Sequence, residues 1–318
     1  MKALFIITRT NEMHKHCDSW SCLGNEYQTY TYTHQKGGNA PSGGKLDDEI
    51  LAAATEYKPE VIIYVGACRS NTPSIDCFVR LKRTIAPIVH LCSDAADEPW
   101  WDELIAYHKA GAFSVQVAID GNKNWPLYDT DITALTPIDP SYYPDPPKIH
   151  AERSVVFGFA GNIGSVHTMK NGKVTGRRPL VAEMITFGLK YRERPKGNFD
   201  LKSGSDSYKE AAQYMSDTRI MPNFSQTGSF ERMHVKGRVV EAGLAGCLLL
   251  EPKGSPTPDW FEPGVDYLQY DDMKQAKQIV SEMRDKPEES QEFGIRLRRK
   301  IEENHSPEKF WGKVMERL

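Results

Sequence analysis

Apolar runs alternate with stretches of helical spacing along the first half of the chain. Ala3–Thr8 (ALFIIT) is continuously apolar, as expected of a central parallel strand buried on both faces. Tyr27–Thr33 (YQTYTYT) is rich in aromatic and β-branched residues and reads as a second strand. Leu46, Ile50, Leu51 and Ala54 recur at helical spacing; Lys58-Pro59 ends that helix, and Val61–Val65 (VIIYV) is the next strand. A helix over residues 73–84, a strand Ile88–Cys92, a helix near Trp100–Lys109 and a strand Phe113–Ala118 continue the alternation. This order predicts right-handed β-α-β crossovers and a parallel sheet.

Residues 137–148 (PIDPSYYPDPPK) hold five prolines, so no helix crosses them and a strand is disfavoured. The domain boundary is placed there: residues 1–148 as a first domain ending in the linker, residues 149–318 as a second. Beyond it the pattern restarts. Ser154–Phe159 (SVVFGF) is a strand, a Gly-containing loop Ala160–Arg177 follows, and a helix runs from about Pro179. Residues 191–206 are polar and show no clear element. Tyr208–Met215 is helical, Thr218–Asn223 a strand, Val235–Ala245 a helix and Cys247–Glu251 a strand. Met273, Ala276, Val280 and Met283 mark one helix, and Phe293, Leu297 and Ile301 another. Ser306-Pro307 caps a final helix carrying Phe310, Trp311 and Val314. The expected fold is α/β: two Rossmann-like domains with parallel sheets facing an inter-domain cleft, where ligands sit beyond the carboxyl ends of the strands.

The chain has 318 residues, 39% hydrophobic and 26% charged, values that exclude a disordered tail, a collagen-like fibre and a coiled coil. No apolar run approaches the ~18 residues of a membrane span, and Ala3–Ile7 is too short for a secretory leader, so a cytoplasmic protein is expected. Six scattered cysteines are expected as thiols. His14, His16, Cys17 and Cys22 lie close together, but no second ligand pair follows; they read as a mixed surface loop, and no metal is expected. Residues 1–150 carry a net charge of -6 and residues 151–318 a net of +3. The acidic half argues against nucleic acid as its partner, while the basic half suits a small anion.

Residues 37–45 (GGNAPSGGK) superficially resemble a P-loop, but Asn39 and Leu46 stand where that motif needs Gly and Ser/Thr, so the segment reads as a flexible loop. Phe159–Ser165 (FAGNIGS) follows a strand directly, and small residues such as Gly161 and Asn162 let backbone N–H groups approach anionic oxygens. Arg177 and Arg178 stand at the start of the next helix, where the dipole also favours an anion; two arginines there suit a diphosphate, and the plainer reading is a pair of solvated charges. Residues 223–251 (NFSQTGSFERMHVKGRVVEAGLAGCLLLE) carry the densest signal. A strand ends, a Ser/Thr/Gly loop follows, and then a helix carries Lys236, Arg238 and Glu241. Arg238 and Glu241 are three apart, on one face, which alone implies an intrahelical ion pair. Val239, Val240, Ala242, Leu244 and Ala245 make the helix apolar all round, and a carboxylate buried there needs a reason, such as a sugar diol.

Gly161 after an apolar strand, Arg177/Arg178, the run Arg238-x-x-Glu241-Ala-Gly-Leu-Ala-Gly-Cys-Leu-Leu-Leu-Glu251, then Phe261-Glu-Pro-Gly264 and Tyr270-Asp-Asp272 together resemble the second domain of group-1 glycosyltransferases of the GT-B fold, in the branch related to the spore maturation protein CgeB. Ser93-Asp94 and residues 136–144 resemble that branch more loosely. The resemblance spans about residues 58–318 and is strongest over 155–275. It implies a nucleoside-diphosphate sugar as donor, held by the second domain, with a carbohydrate or glycan-linked acceptor. Glu241 would hold the donor ribose; Arg238 and one of Arg177/Arg178 would neutralise the diphosphate; Gly161 would admit the phosphates; Ser225–Ser229, with Ser225, Thr227 and Gly228, would lie near the diphosphate or sugar. The family also suggests that the last helix crosses back to the first domain. Many of its members carry a further Glu eight residues before the ribose Glu, where this chain has Met233.

Elementary chemistry agrees with that assignment. Glycosyl transfer needs charge stabilisation on the leaving group, which arginines and a helix N-terminus supply without a metal or other cofactor. An inverting route also needs a base on the acceptor side. Asp94, just past a strand end, is the candidate, with Asp97 and Glu98 behind it; the bland reading is a loop or capping carboxylate. His90, inside an apolar strand, reads as core; the pairs Trp100-Trp101 and Tyr142-Tyr143 read as packing, and residues 296–300 as a solvated basic face. The alternatives are a DNA base glycosyltransferase and a non-catalytic nucleotide-sugar-binding relative.

Overall fold

The computed structural model describes residues 1–8, 11–32, 44–66, 72–92, 101–121, 132–161, 167–168, 174–192, 201–226 and 232–318. The chain divides into two compact units, one of Met1–Asp139, Phe199–Gly204 and Ser306–Leu318, the other of Pro140–Asn198 and Ser205–His305.

In the first unit, β1 (Lys2–Thr8), β2 (Glu26–Tyr32), β3 (Val61–Val65), β4 (Ile88–Cys92), β5 (Val115–Ala118) and β6 (Ile132–Thr133) form a parallel sheet in the order β2-β1-β3-β4-β5-β6. Side chains alternate across it: Leu4 and Ile6 pack with Leu46, Ile50, Phe78 and Tyr107 from α2 (Gly44–Tyr57), α3 (Ile75–Thr84) and α4 (Trp101–Lys109), while Ala3, Phe5 and Ile7 pack on the other face. Both faces are covered, which is why β1 is apolar without interruption. The second face is closed by α1 (Asn11–Ser21) and by the last helix, Pro307–Met315. Trp311 meets Trp20 edge-on at 5.0 Å and donates from Nε1 to Ser19 Oγ at 3.2 Å. The segment expected as a mixed loop is therefore the helix α1: His16, Cys17 and Trp20 turn inward on it, and their burial outweighs the polar composition. Among the described residues no cluster of three or more His, Cys, Asp or Glu is arranged to hold a metal. Likewise, no described helix is long and apolar enough to cross a membrane.

The second unit repeats the plan. Its elements are β7 (Val155–Ala160), a short hairpin β8–β9 (His167–Thr168, Val174–Thr175), α5 (Arg177–Ile185), β10 (Lys190–Arg192), α6 (Leu201–Ser216) from Ser205 onward, β11 (Thr218–Pro222), α7 (Gly237–Leu244), β12 (Leu248–Pro252), β13 (Leu268–Tyr270), α8 (Met273–Arg284) and α9 (Pro287–Asn304). The sheet is parallel, in the order β10-β7-β11-β12-β13. Two parts of it lie in the stretch 191–206 that shows no pattern in the sequence: the end of the edge strand β10, and the start of α6, which precedes the apolar spacing at Tyr208.

The proline-rich segment packs on this second unit, so the chain passes between units at 139–140 rather than at 148. Arg298 donates to the Pro144 carbonyl at 2.6 Å, and Arg153 donates from Nε and Nη2 to the Lys148 carbonyl. His150 bridges Ser290 Oγ and the Gly246 carbonyl at 2.8 and 2.7 Å; burial pushes its pKa down to about 3, so it serves as a neutral staple. α7 and α9 approach closely through glycines: a Cβ on Gly243 would fall 2.2 Å from Ile301, and one on Gly294 2.2 Å from the Gly246 carbonyl oxygen. The second clash is against backbone, which cannot swing aside. Gly294→Ala is expected to lower stability by about 1–3 kcal/mol, read as a shift of the urea midpoint.

Candidate functional site

In the second sheet the carboxyl ends of β7, β11 and β12 share one edge, and α5 and α7 start there because each connects parallel strands. Lys236 caps α7 in extended geometry (φ -71°, ψ 150°), leaving Arg238 in the first turn and Glu241 one turn on. Both turn inward. Arg238 Nη1 lies 3.0 Å from Glu241 Oε2, with side chains 10% and 4% exposed. The ion pair that the spacing alone implied is therefore present, and it is withdrawn from water. Arg238 also donates to the Ala160 carbonyl and lies 5.4 Å over the Phe159 ring. Glu241 Oε1 accepts from Tyr208 Oη at 3.2 Å, and Tyr208 Oη meets Tyr143 Oη at 3.3 Å. Tyr142 stands edge-on to Tyr208 at 5.0 Å, so the Tyr142-Tyr143 pair is packing, placed where it steadies the carboxylate through Tyr208. Burial raises the Tyr143 pKa, and the Glu241 charge adds to the shift.

Gly161 follows β7 with φ +155°, and a Cβ there would lie 3.1 Å from the Phe159 ring and 3.2 Å from Arg238 Nη2. The backbone passes this close to the guanidinium only because the residue is glycine. Arg177 opens α5 and stands 5.9 Å over the Phe224 ring, and Phe224 meets Phe159 edge-on at 4.9 Å. Two touching rings thus each carry one guanidinium on this edge of the sheet. Of the arginine pair, Arg177 faces the site and Arg178 is exposed. Ser225, expected at the donor, is buried, and its hydroxyl is directed instead to Glu251 Oε1. Asn162, Thr227 and Gly228 lie outside the described residues, as do Asp94, Asp97 and Glu98. His90 is a core residue: its Nε2 contacts the Gly66 carbonyl at 3.1 Å, its Nδ1 contacts Gln116, and burial pushes its pKa down to about 4.

Sequence reasoning missed Phe159, Phe224 and Tyr208. The aromatic residues beside Gly161 and Asn223 were visible as a pattern, but only the fold brings their rings together.

Several solved structures resemble this one along the whole chain. HepE from Anabaena in complex with UDP aligns over 99% of this chain and 99% of that one, at 12% identity and a TM-score of 0.59. The same protein with UDP and glucose aligns over 99% and 98%, at 14% identity and a TM-score of 0.60. Sucrose-phosphate synthase from Thermosynechococcus elongatus aligns over 100% and 99%, at 9% identity and a TM-score of 0.64. The fold is GT-B. Residues 173–316, which take in most of the second unit and the last helix, match the family model described as glycosyl transferase-like. No curated protein gives a significant sequence match.

Within this GT-B unit, Arg238→Ala strands a buried carboxylate and is expected to cost about 3–5 kcal/mol in urea unfolding. The double variant Arg238→Met/Glu241→Leu, which removes both charges, is expected to cost less than that single change. A double-mutant cycle measures the difference.

Proposed function

We propose that this protein is a glycosyltransferase that moves a sugar from a nucleoside-diphosphate donor, with UDP as the nucleotide, to a carbohydrate or glycan-linked acceptor. One observation carries the reading: the buried Arg238–Glu241 pair at the start of α7, set against Gly161 and sharing an aromatic platform with Arg177. An anion that approaches this edge meets guanidinium groups, the Lys236 end of α7 and a backbone left bare by glycine. Glu241 supplies acceptor oxygens for the ribose diol; a carboxylate accepts about four hydrogen bonds, so its contacts with Arg238 and Tyr208 are compatible with that role. The UDP-bound complexes of structurally similar HepE support the choice of nucleotide.

In this mechanism Arg238 and Arg177 stabilise the negative charge that grows on the leaving diphosphate as the glycosidic bond breaks. That charge is met by side chains, so no metal cofactor is proposed. Asp94, two residues past the end of β4, is the proposed base that takes the proton from the acceptor hydroxyl.

The test is a titration of UDP followed by melting temperature. At about 100 times the dissociation constant, UDP is expected to stabilise the wild type by about 2.7 kcal/mol. Glu241→Ala and Arg177→Ala are expected to lose most of that gain. Release of UDP from a UDP-sugar separates transfer chemistry from binding alone. Wild type that no nucleoside diphosphate stabilises would sink the assignment.

A further inference from the structure

Glu251 is the penultimate residue of the interior strand β12 and is wholly buried. Its Oε1 gathers donors from two segments: Asn223 Nδ2 at 3.2 Å and the Ser225 hydroxyl after β11, and Thr257 Oγ1 at 2.9 Å after β12. Its Oε2 makes no hydrogen bond of good geometry among the described residues, although the buried Ser255 hydroxyl, itself without such a bond, is close enough to act on the carboxyl as a fourth donor. Nor does any described arginine, lysine or histidine pair with it, in contrast to Glu241 one strand-turn earlier. An ionised carboxylate without a cation is costly in such a place, and the neutral acid, whose O–H needs a single acceptor, is less so. Burial indeed raises its pKa, against the opposing effect of the hydroxyl and amide donors. The titratable groups that sense it are Tyr267 and Tyr270 on the β13 side, both pushed up by burial and by Glu251. Asp266, beside Tyr267, is paired with Lys300 of α9 at 2.6 Å and brings no positive charge to Glu251.

The two β11-side donors flank Phe224, the ring on which Arg177 stands. The Ser225 carbonyl also accepts from His234 N at 2.9 Å, and Gln226 bridges Met233, so Ser225 is tied to the residues just before α7. Holding Ser225 and Asn223 therefore fixes the Phe224 ring and the base of the segment that leads into α7.

We propose that Glu251 is a positioning residue that works as a neutral acid, locking Phe224, and through it Arg177, beside the nucleoside-diphosphate site. The proposal rests on the donor-site reading above and extends it to a residue outside the site. A neutral anchor holds the platform without setting an anion next to the bound diphosphate.

The test compares Glu251→Gln with Glu251→Leu in the full chain, reading UDP affinity by calorimetry and melting temperature across pH. Glu251→Gln is expected to bind UDP within about twofold of wild type, and Glu251→Leu about tenfold more weakly. Adding Glu251→Leu to Arg177→Ala is expected to cost nothing further, because both act through one guanidinium. Affinity lost equally in Gln and Leu, left unchanged in Leu, or lost additively in the double variant overturns the proposal. A raised native-state pKa gives stability that is complete below the ordinary glutamate value and lost as pH rises through the raised one. The melting temperature of Glu251→Gln relative to wild type should therefore climb as pH rises from the ordinary glutamate value through the raised one; a fall or a flat line overturns the neutral state. This arm needs no nucleotide, so failure of UDP to bind wild type rejects the donor site without deciding the charge of Glu251. If Glu251→Leu does not fold, Ser225→Ala and Asn223→Ala remove the same bonds from the other side and are expected to weaken UDP alike.

Discussion

An arginine and a glutamate one helical turn apart, both withdrawn from water, constrain most of what surrounds them in the second unit. Desolvating the two charges costs several kcal/mol each, and their attraction at 3.0 Å repays this only with good geometry and further hydrogen bonds. Those further bonds come from Tyr208 on Glu241 and from the Ala160 carbonyl under Arg238. Gly161 must be glycine for the backbone to pass the guanidinium, and Phe159 must lie flat beneath it. Apolar residues of similar volume would fill this space at least as stably. The charges make physical sense as chemistry, because a buried cation held at a strand end is already oriented for an anion that arrives there.

Two carboxyl groups in the same unit show how surroundings assign different tasks to one functional group. Glu241 faces a guanidinium, so its charge is matched where it sits. Among the described residues, Glu251 is reached by hydroxyl and amide donors and by no cation. Environments that differ this way push protonation states apart. The first suits contact with a ligand, the second a scaffold beneath it.

Support for the site comes from rigid packing. α7 is pressed against α9 at Gly243, and the turn after it is clamped by Gly294, His150 and Arg153. Arg153 spends its guanidinium on the carbonyls of Lys148, Thr218 and Ala245, tying the proline-rich segment to the start of β11 and the end of α7. A side chain carried on an element held this tightly keeps its geometry without a ligand to order it.

Much of the plan was legible in the chain. Short, β-branched apolar runs such as Ala3–Ile7 and Val61–Val65 suit strands covered on both faces, and the helical spacing between them favours a parallel sheet. That Arg238 and Glu241 share one face of an apolar helix was legible too, since local periodicity settles which residues share a face. What periodicity cannot reach is contact between distant segments. That α1 is a helix depends on Trp20 finding Trp311 from the far end of the chain. That Arg177 rather than Arg178 faces the site depends on Phe224 meeting Phe159, and that Ser225 turns inward depends on Glu251 from the next strand. Spacing along the backbone decides which way a side chain points; only the packed fold decides what waits there, because burial and pairing energies arise between residues far apart in the chain.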